Sequence, residues 1–164
     1  MSSMRAVAIR SVGVVCGYGD GLSSLATGLM SGQSAAAPIR GWSGAALSVR
    51  SAVQVPGDCP DIEGFADDRK VALLARALAQ VGAAPSDVPS ERRGVFLGTG
   101  LSSVTPVELG EDIYPYLVDG SIDRAAAAMN VRPSAVAPWR HLPALATSWL
   151  ARQWGATGAG STSF

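Results

Sequence analysis

Apolar positions along this chain fall into blocks whose spacing changes from one block to the next, and each spacing predicts an element. Residues Arg5–Val15 (RAVAIRSVGVV) are apolar and β-branched with little alternation, which suits a strand buried on both faces. The cluster Gly17-Tyr18-Gly19-Asp20-Gly21 predicts a turn. From Leu22 to Met30, Leu22, Leu25, Ala26 and Leu29 recur at helical spacing, and Gly32 stops the run. A loop rich in Ala, Gly and Ser comes next, through Pro38 and Gly44. Ala46–Val55 (ALSVRSAVQV) then alternates weakly, as a second strand would.

The clearest pattern lies further along. Asp67 and Asp68 precede Val71, Leu74, Leu78 and Val81, an apolar stripe at intervals of three and four, with Gly82 just past its end. Carboxylates at the start accept from unpaired amide N–H groups, and glycine adopts the conformation that closes a helix. Arg93–Thr99 (RGVFLGT) reads as a short buried strand running into Gly98-Thr99-Gly100. Short helical pieces are expected around Leu109–Leu117 and Ile122–Met129, and Pro133 and Pro138 punctuate the stretch before His141. His141–Trp154 (HLPALATSWLARQW) predicts a helix begun through Pro143, with Leu142, Leu145, Ala146, Trp149, Leu150 and Gln153 on one side and Gly155, Gly158 and Gly160 beyond it. Strand, helix, strand, helix, strand makes an α/β unit with a largely parallel sheet the expected fold class. No internal repeat or linker divides the 164 residues, which suffice for one domain and not two of ordinary size.

Composition adds a tension to that pattern. The chain is 48% apolar and only 16% charged, against roughly 25% charged for an average soluble domain. Disorder is excluded by that apolar content and by zero net charge, with 13 basic and 13 acidic residues. Some apolar surface is therefore expected to be covered from outside the chain. Nucleic-acid binding is not expected: Lys70 is the only lysine, and basic residues adjoin only in the pairs Arg69-Lys70 and Arg92-Arg93. No apolar run approaches the roughly 18 residues of a membrane span. Arg10 interrupts the N-terminal apolar stretch and no cleavage site comes after it, so a cytoplasmic protein is expected in place of a secreted one.

Candidate chemistry is sparse. Cys16 and Cys59 make neither a disulfide framework nor a zinc site, and read as small buried hydrophobes. Gly98-Thr99-Gly100 follows a strand, but Ser103 stands where a dinucleotide-binding loop needs its third glycine, so a tight backbone turn is the favoured reading. Gly100-Leu101-Ser102-Ser103-Val104 approaches a nucleophile elbow but has valine where the second glycine must permit the sharp turn. An esterase built on Ser102 or Ser103 with His141, the only histidine, is the corresponding minor reading. The acid pairs Asp67-Asp68 and Glu111-Asp112 read as helix-start charges. From residue types and spacing alone, no catalytic, cofactor-binding or metal-ligating residue is assigned, and no cofactor is expected.

Three segments, taken together, carry a resemblance. They are Arg5–Ser34, which ends in Gly32-Gln33-Ser34; the helix after Arg69 joined to Gly94–Gly100 (GVFLGTG); and Leu142–Phe164 (LPALATSWLARQWGATGAGSTSF). Their order and spacing resemble the N-terminal part of a β-ketoacyl-acyl carrier protein synthase, of the thiolase superfamily. Ser11, Gly17 and Ala159 depart from the family's usual glycine, proline and proline. The resemblance implies an incomplete N-terminal half of a layered α-β-α-β-α fold, spanning residues 1–164. In the family, a cysteine at a helix N-terminus takes an acyl chain as a thioester, and decarboxylation of a malonyl unit yields the carbanion that attacks it. That cysteine is expected about two residues beyond Phe164, with two histidines and a lysine further on; Cys16, Cys59 and His141 match none of them.

The expected function is the one the resemblance implies: N-terminal scaffold of a ketosynthase-like protein in fatty-acid or polyketide biosynthesis, needing a C-terminal half for activity. The expected partners are that half or a full-length ketosynthase, an acyl carrier protein for the completed protein, and a second subunit in a dimer. The alternatives are a non-catalytic partner similar to a chain-length factor, and a truncated remnant without a function of its own.

Overall fold

Asp68 starts the element around which the best-packed part of the described residues is built. In the computed structural model, which describes residues 7–40, 49–66, 68–100, 114–119, 121–130 and 142–163, its carboxylate Oδ1 accepts from the N–H groups of Lys70 (3.0 Å) and Val71 (3.2 Å). The helix it caps, Arg69–Val81, ends at Gly82 with φ of 79°. Both boundaries agree with the sequence pattern, with Asp68 as the cap; Asp67 lies outside the described residues. Val71, in the first turn, is fully buried, and Leu74 and Leu78 pack against the same cluster.

In chain order, β1 (Val15–Cys16) and β2 (Gly19–Asp20) form a tight hairpin, and α1 (Leu22–Met30) comes after it. Next, β3 (Ala36–Pro38) pairs antiparallel with β4 (Ser51–Val53), Ala37 opposite Ala52. The capped helix is α2 (Arg69–Val81), and a 3-10 turn at Ser90–Arg92 leads into β5 (Val95–Gly98). A second 3-10 turn, Tyr114–Tyr116, runs into the hairpin of β6 (Leu117–Val118) and β7 (Ser121–Ile122). Then come α3 (Arg124–Asn130), whose first amides bond to the Asp123 carboxylate, and α4 (Pro143–Gln153). Last, β8 (Gly160–Ser163) lies parallel to β5, with Val95 opposite Gly160 and Gly98 opposite Ser163.

The fold is mixed α/β, and the described residues form four two-stranded sheets. Of these only β5–β8 is parallel, so the largely parallel sheet expected from the element order is not what the described residues form. The strand expected over Arg5–Val15 is the main correction. Among its described residues only Val15 is in a strand, and Val7 and Ile9 are 93% and 84% exposed. The segment before β1 is instead tied to α2 by polar groups. The Gln80 side-chain amide donates to the Val14 carbonyl and accepts from its N–H, both at 2.9 Å, standing in for a neighbouring strand. Gly13 permits this approach, since a Cβ there would sit 2.1 Å from the Ala77 carbonyl oxygen.

Other expectations hold in outline. The helix expected at Leu22–Met30 forms with those bounds, and Gly32 just beyond it takes φ of 66°. Its apolar stripe is not a core face, because Leu22, Ala26 and Leu29 are not buried and the buried residue is Gly28, under the Tyr18 ring. Of the second strand expected at Ala46–Val55, residues 46–48 lie outside the described residues, and among the rest Ser51–Val53 form the strand. The helical piece expected at Leu109–Leu117 is, where described, a single 3-10 turn ending in β6. Among the described residues the core cluster is small: Val71, Ala146 and Trp149, joined by Ile62, Phe65, Leu74, Ala75, Leu78, Leu97 and Leu150.

Candidate functional site

Among the described residues, the parallel pair is the place where this chain builds what α/β proteins use for ligands, a set of strand carboxyl ends side by side. Alternation along β5 places Val95 in the core and Leu97 against it, while Phe96, between them, is 72% exposed. Across from Leu97, Thr162 on β8 shares a hydrogen bond with Thr147 of α4 through their hydroxyls. So α4 covers one face of the pair. The opposite face carries Phe96, Ser161 and Ser163, all exposed.

Gly158 sets the close seating of the segment before β8. Its N–H donates to the Arg93 carbonyl at 3.1 Å, and a Cβ at this position would lie 2.5 Å from the Glu91 oxygen. The Thr157 N–H reaches the Ser90 carbonyl at 2.9 Å, and the Val95 N–H reaches the Ala159 carbonyl at 3.1 Å. Both strands therefore begin from one zipped-up backbone junction. At the other end, the Thr99 N–H donates to the Ser163 carbonyl at 3.0 Å, which brings the Gly98-Thr99-Gly100 loop beside the end of β8.

The side chains at these carboxyl ends are hydroxyls, from Thr99, Thr162 and Ser163, and none of them titrates near neutral pH. Gly98 and Gly100 need not be glycine on steric grounds. A Cβ at Gly98 would meet nothing nearer than 3.9 Å and one at Gly100 nothing within 4 Å, and neither has a positive φ. Glycine is thus not a steric requirement at these two positions, and the residues that would continue the expected turn, 101–104, lie outside the described residues. Nothing in the geometry crowds the loop toward a pyrophosphate.

A broader groove of about 830 Å³ lies between α2, α4 and residues 61–65. Phe65, Leu78 and Trp149 line it, with Asp61, Glu63 and Arg152 also present. Beside β8, α4 borders a second hollow of about 300 Å³ with small side chains, Ala144, Ser148 and Ala151.

The two thiols lie elsewhere. Cys16 is in β1, where its Sγ donates to the Gly19 carbonyl at 3.4 Å, and Cys59 lies in the loop after β4. Both are free thiols and half-buried, where small buried hydrophobes were expected. Cys59 stands by Arg76, the polar hub of the N-terminal region. The Arg76 guanidinium grips the Asp20 carboxylate at 2.6 and 3.0 Å and donates to the Pro56 carbonyl at 2.8 Å. The Asp20 hydrogen bond raises the Arg76 pKa above its ordinary value, against an opposing effect of burial. Sequence reasoning overlooked this hub. Its signal was available: Arg76 and Gln80 are four apart on α2, on the side away from Val71, Leu74 and Leu78.

Among the described residues, no group of three or more His, Cys, Asp or Glu side chains is placed to hold a metal ion. No described helix is long and apolar enough to cross a membrane. Ser102, Ser103 and His141, the esterase candidates, lie outside the described residues, as do Glu111 and Asp112. A scan against protein-family models finds no match to this chain, and a search of curated proteins finds no similar sequence.

Proposed function

We propose that this chain is the N-terminal scaffold of a β-ketoacyl synthase-like protein, part of a thiolase-type layered fold, acting in acyl-chain condensation for fatty-acid or polyketide synthesis. The observation that carries this reading is the one-sided packing of β5–β8. Parallel sheets are ordinarily covered on both faces, yet here α4 covers one face while Phe96 stands bare on the other. A short parallel pair of this kind suits the inner layer of a larger sheet. The described carboxyl ends bear Thr99 and Ser163 but no thiol. In this reading the chain supplies strands and tunnel wall, and the nucleophilic cysteine, histidines and lysine come from the family's C-terminal half. An acyl carrier protein delivers the substrate, the completed protein is a dimer, and the compartment is the cytoplasm.

Co-expression with a ketosynthase C-terminal half tests the proposal. The expected result is a co-purifying complex in which an acyl group passes from its carrier to the partner's cysteine, seen by intact mass, only when this chain is present. Absence of both complex and acyl loading would overturn it.

The alternatives are a non-catalytic companion similar to a chain-length factor and a truncated remnant without a function of its own; the companion reading is the one a binding experiment separates. It predicts tight binding to a full-length ketosynthase, with no labelling of Cys16 or Cys59 by an acylating inhibitor.

A further inference from the structure

We draw no further inference here: the strongest candidate, the groove between α2, α4 and residues 61–65 with Phe65, Leu78 and Trp149 along it, is an open surface, and nothing in the structure shows what covers it.

Discussion

Residues 7–53 and residues 68–163 are both rich in apolar side chains and use them to very different effect. In the second region Val71, Ala72, Val95, Ala146 and Trp149 are buried. In the first, Gly28 is the only buried residue among those described, while Val7, Ile9, Leu29 and Met30 stand exposed. The elements of the first region are local: a hairpin with Val15 opposite Asp20, a nine-residue helix, and a ribbon of three residues a side. Its ties to α2 include polar ones, through Arg76 and Gln80. The comparison teaches that apolar content becomes stability only where two elements face each other. A helix of nine residues is marginal by itself, and most of the apolar stripe of α1 stays in solvent.

That contrast is open to experiment. Trp149→Ala should cost the most, about 3–5 kcal/mol for a large core side chain, a large share of the stability of a chain this size. Hydrogen exchange should show α2, α4, β5 and β8 losing protection together. If residues 15–53 lost protection to the same extent, the two regions would be one cooperative unit and the contrast would fail.

Gly158→Ala comes next. Its new Cβ would meet the Glu91 and Arg93 carbonyl oxygens at 2.5 and 2.7 Å, and overpacking of this sort costs about 1–3 kcal/mol. Gly100→Ala, where the space is open, serves as the control and should leave the urea midpoint unmoved. Equal midpoints for the two variants would show that the junction before β8 can give way.

Asp68→Ala removes the cap of α2 and should lower stability by about 1 kcal/mol. Circular dichroism during urea titration would register this, and Asp68→Asn, which keeps an acceptor, should recover most of the loss.

Arg76→Met tests the polar tie. Protection at the amides of Val14 and Gly21 should fall while the main unfolding midpoint barely moves, as for local opening. An equal loss in the α2–α4 core would show that the hub stabilises both regions. The pH dependence has a definite sign. The folded pKa of Arg76 is raised, so the tie is fully present below the ordinary arginine range and is lost as pH rises through the raised value. No change from this group is expected across the neutral range, because arginine stays protonated up to about pH 12.

Phe96→Ser and Met30→Gln should have the smallest effect on stability, within roughly 0.5 kcal/mol, because both side chains are exposed. Both should reduce binding of a hydrophobic dye to the isolated chain. An isolated wild-type chain that stayed monomeric and bound no such dye would contradict the idea that its exposed apolar groups await a cover.

Where a pattern was local, the fold was legible in advance. The period of Val71, Leu74 and Leu78, with Asp68 before and Gly82 after, marks α2 because helix hydrogen bonds and caps involve residues within four positions of one another. The helices α1 and α4 were readable for the same reason, as was β5 from its short apolar run before glycine. The Arg5–Val15 strand failed because an apolar run states only that a segment can be buried, and among the described residues no strand accepts residues 7–14. The β3–β4 ribbon, with Pro38 in it, was legible only on its β4 side, because proline and alanine give little strand signal. The candidate site was the least legible part. That Thr99 meets Ser163, and that Gly158 fits under Glu91, depend on pairs 64 and 67 residues apart along the chain.

The sequence by itself determined where α1 and α2 begin and end and placed α4 to within two residues, because helical periodicity is short-range, and it showed a chain rich in apolar residues and poor in charged ones. Only the tertiary structure decided which of those apolar residues are covered. It buried Trp149 and Val71 between α2 and α4, set β5 parallel to β8, and left Phe96 and much of the α1 stripe in solvent. Burial needs a partner at the right place, and that place is a property of distant contacts, which no local pattern encodes.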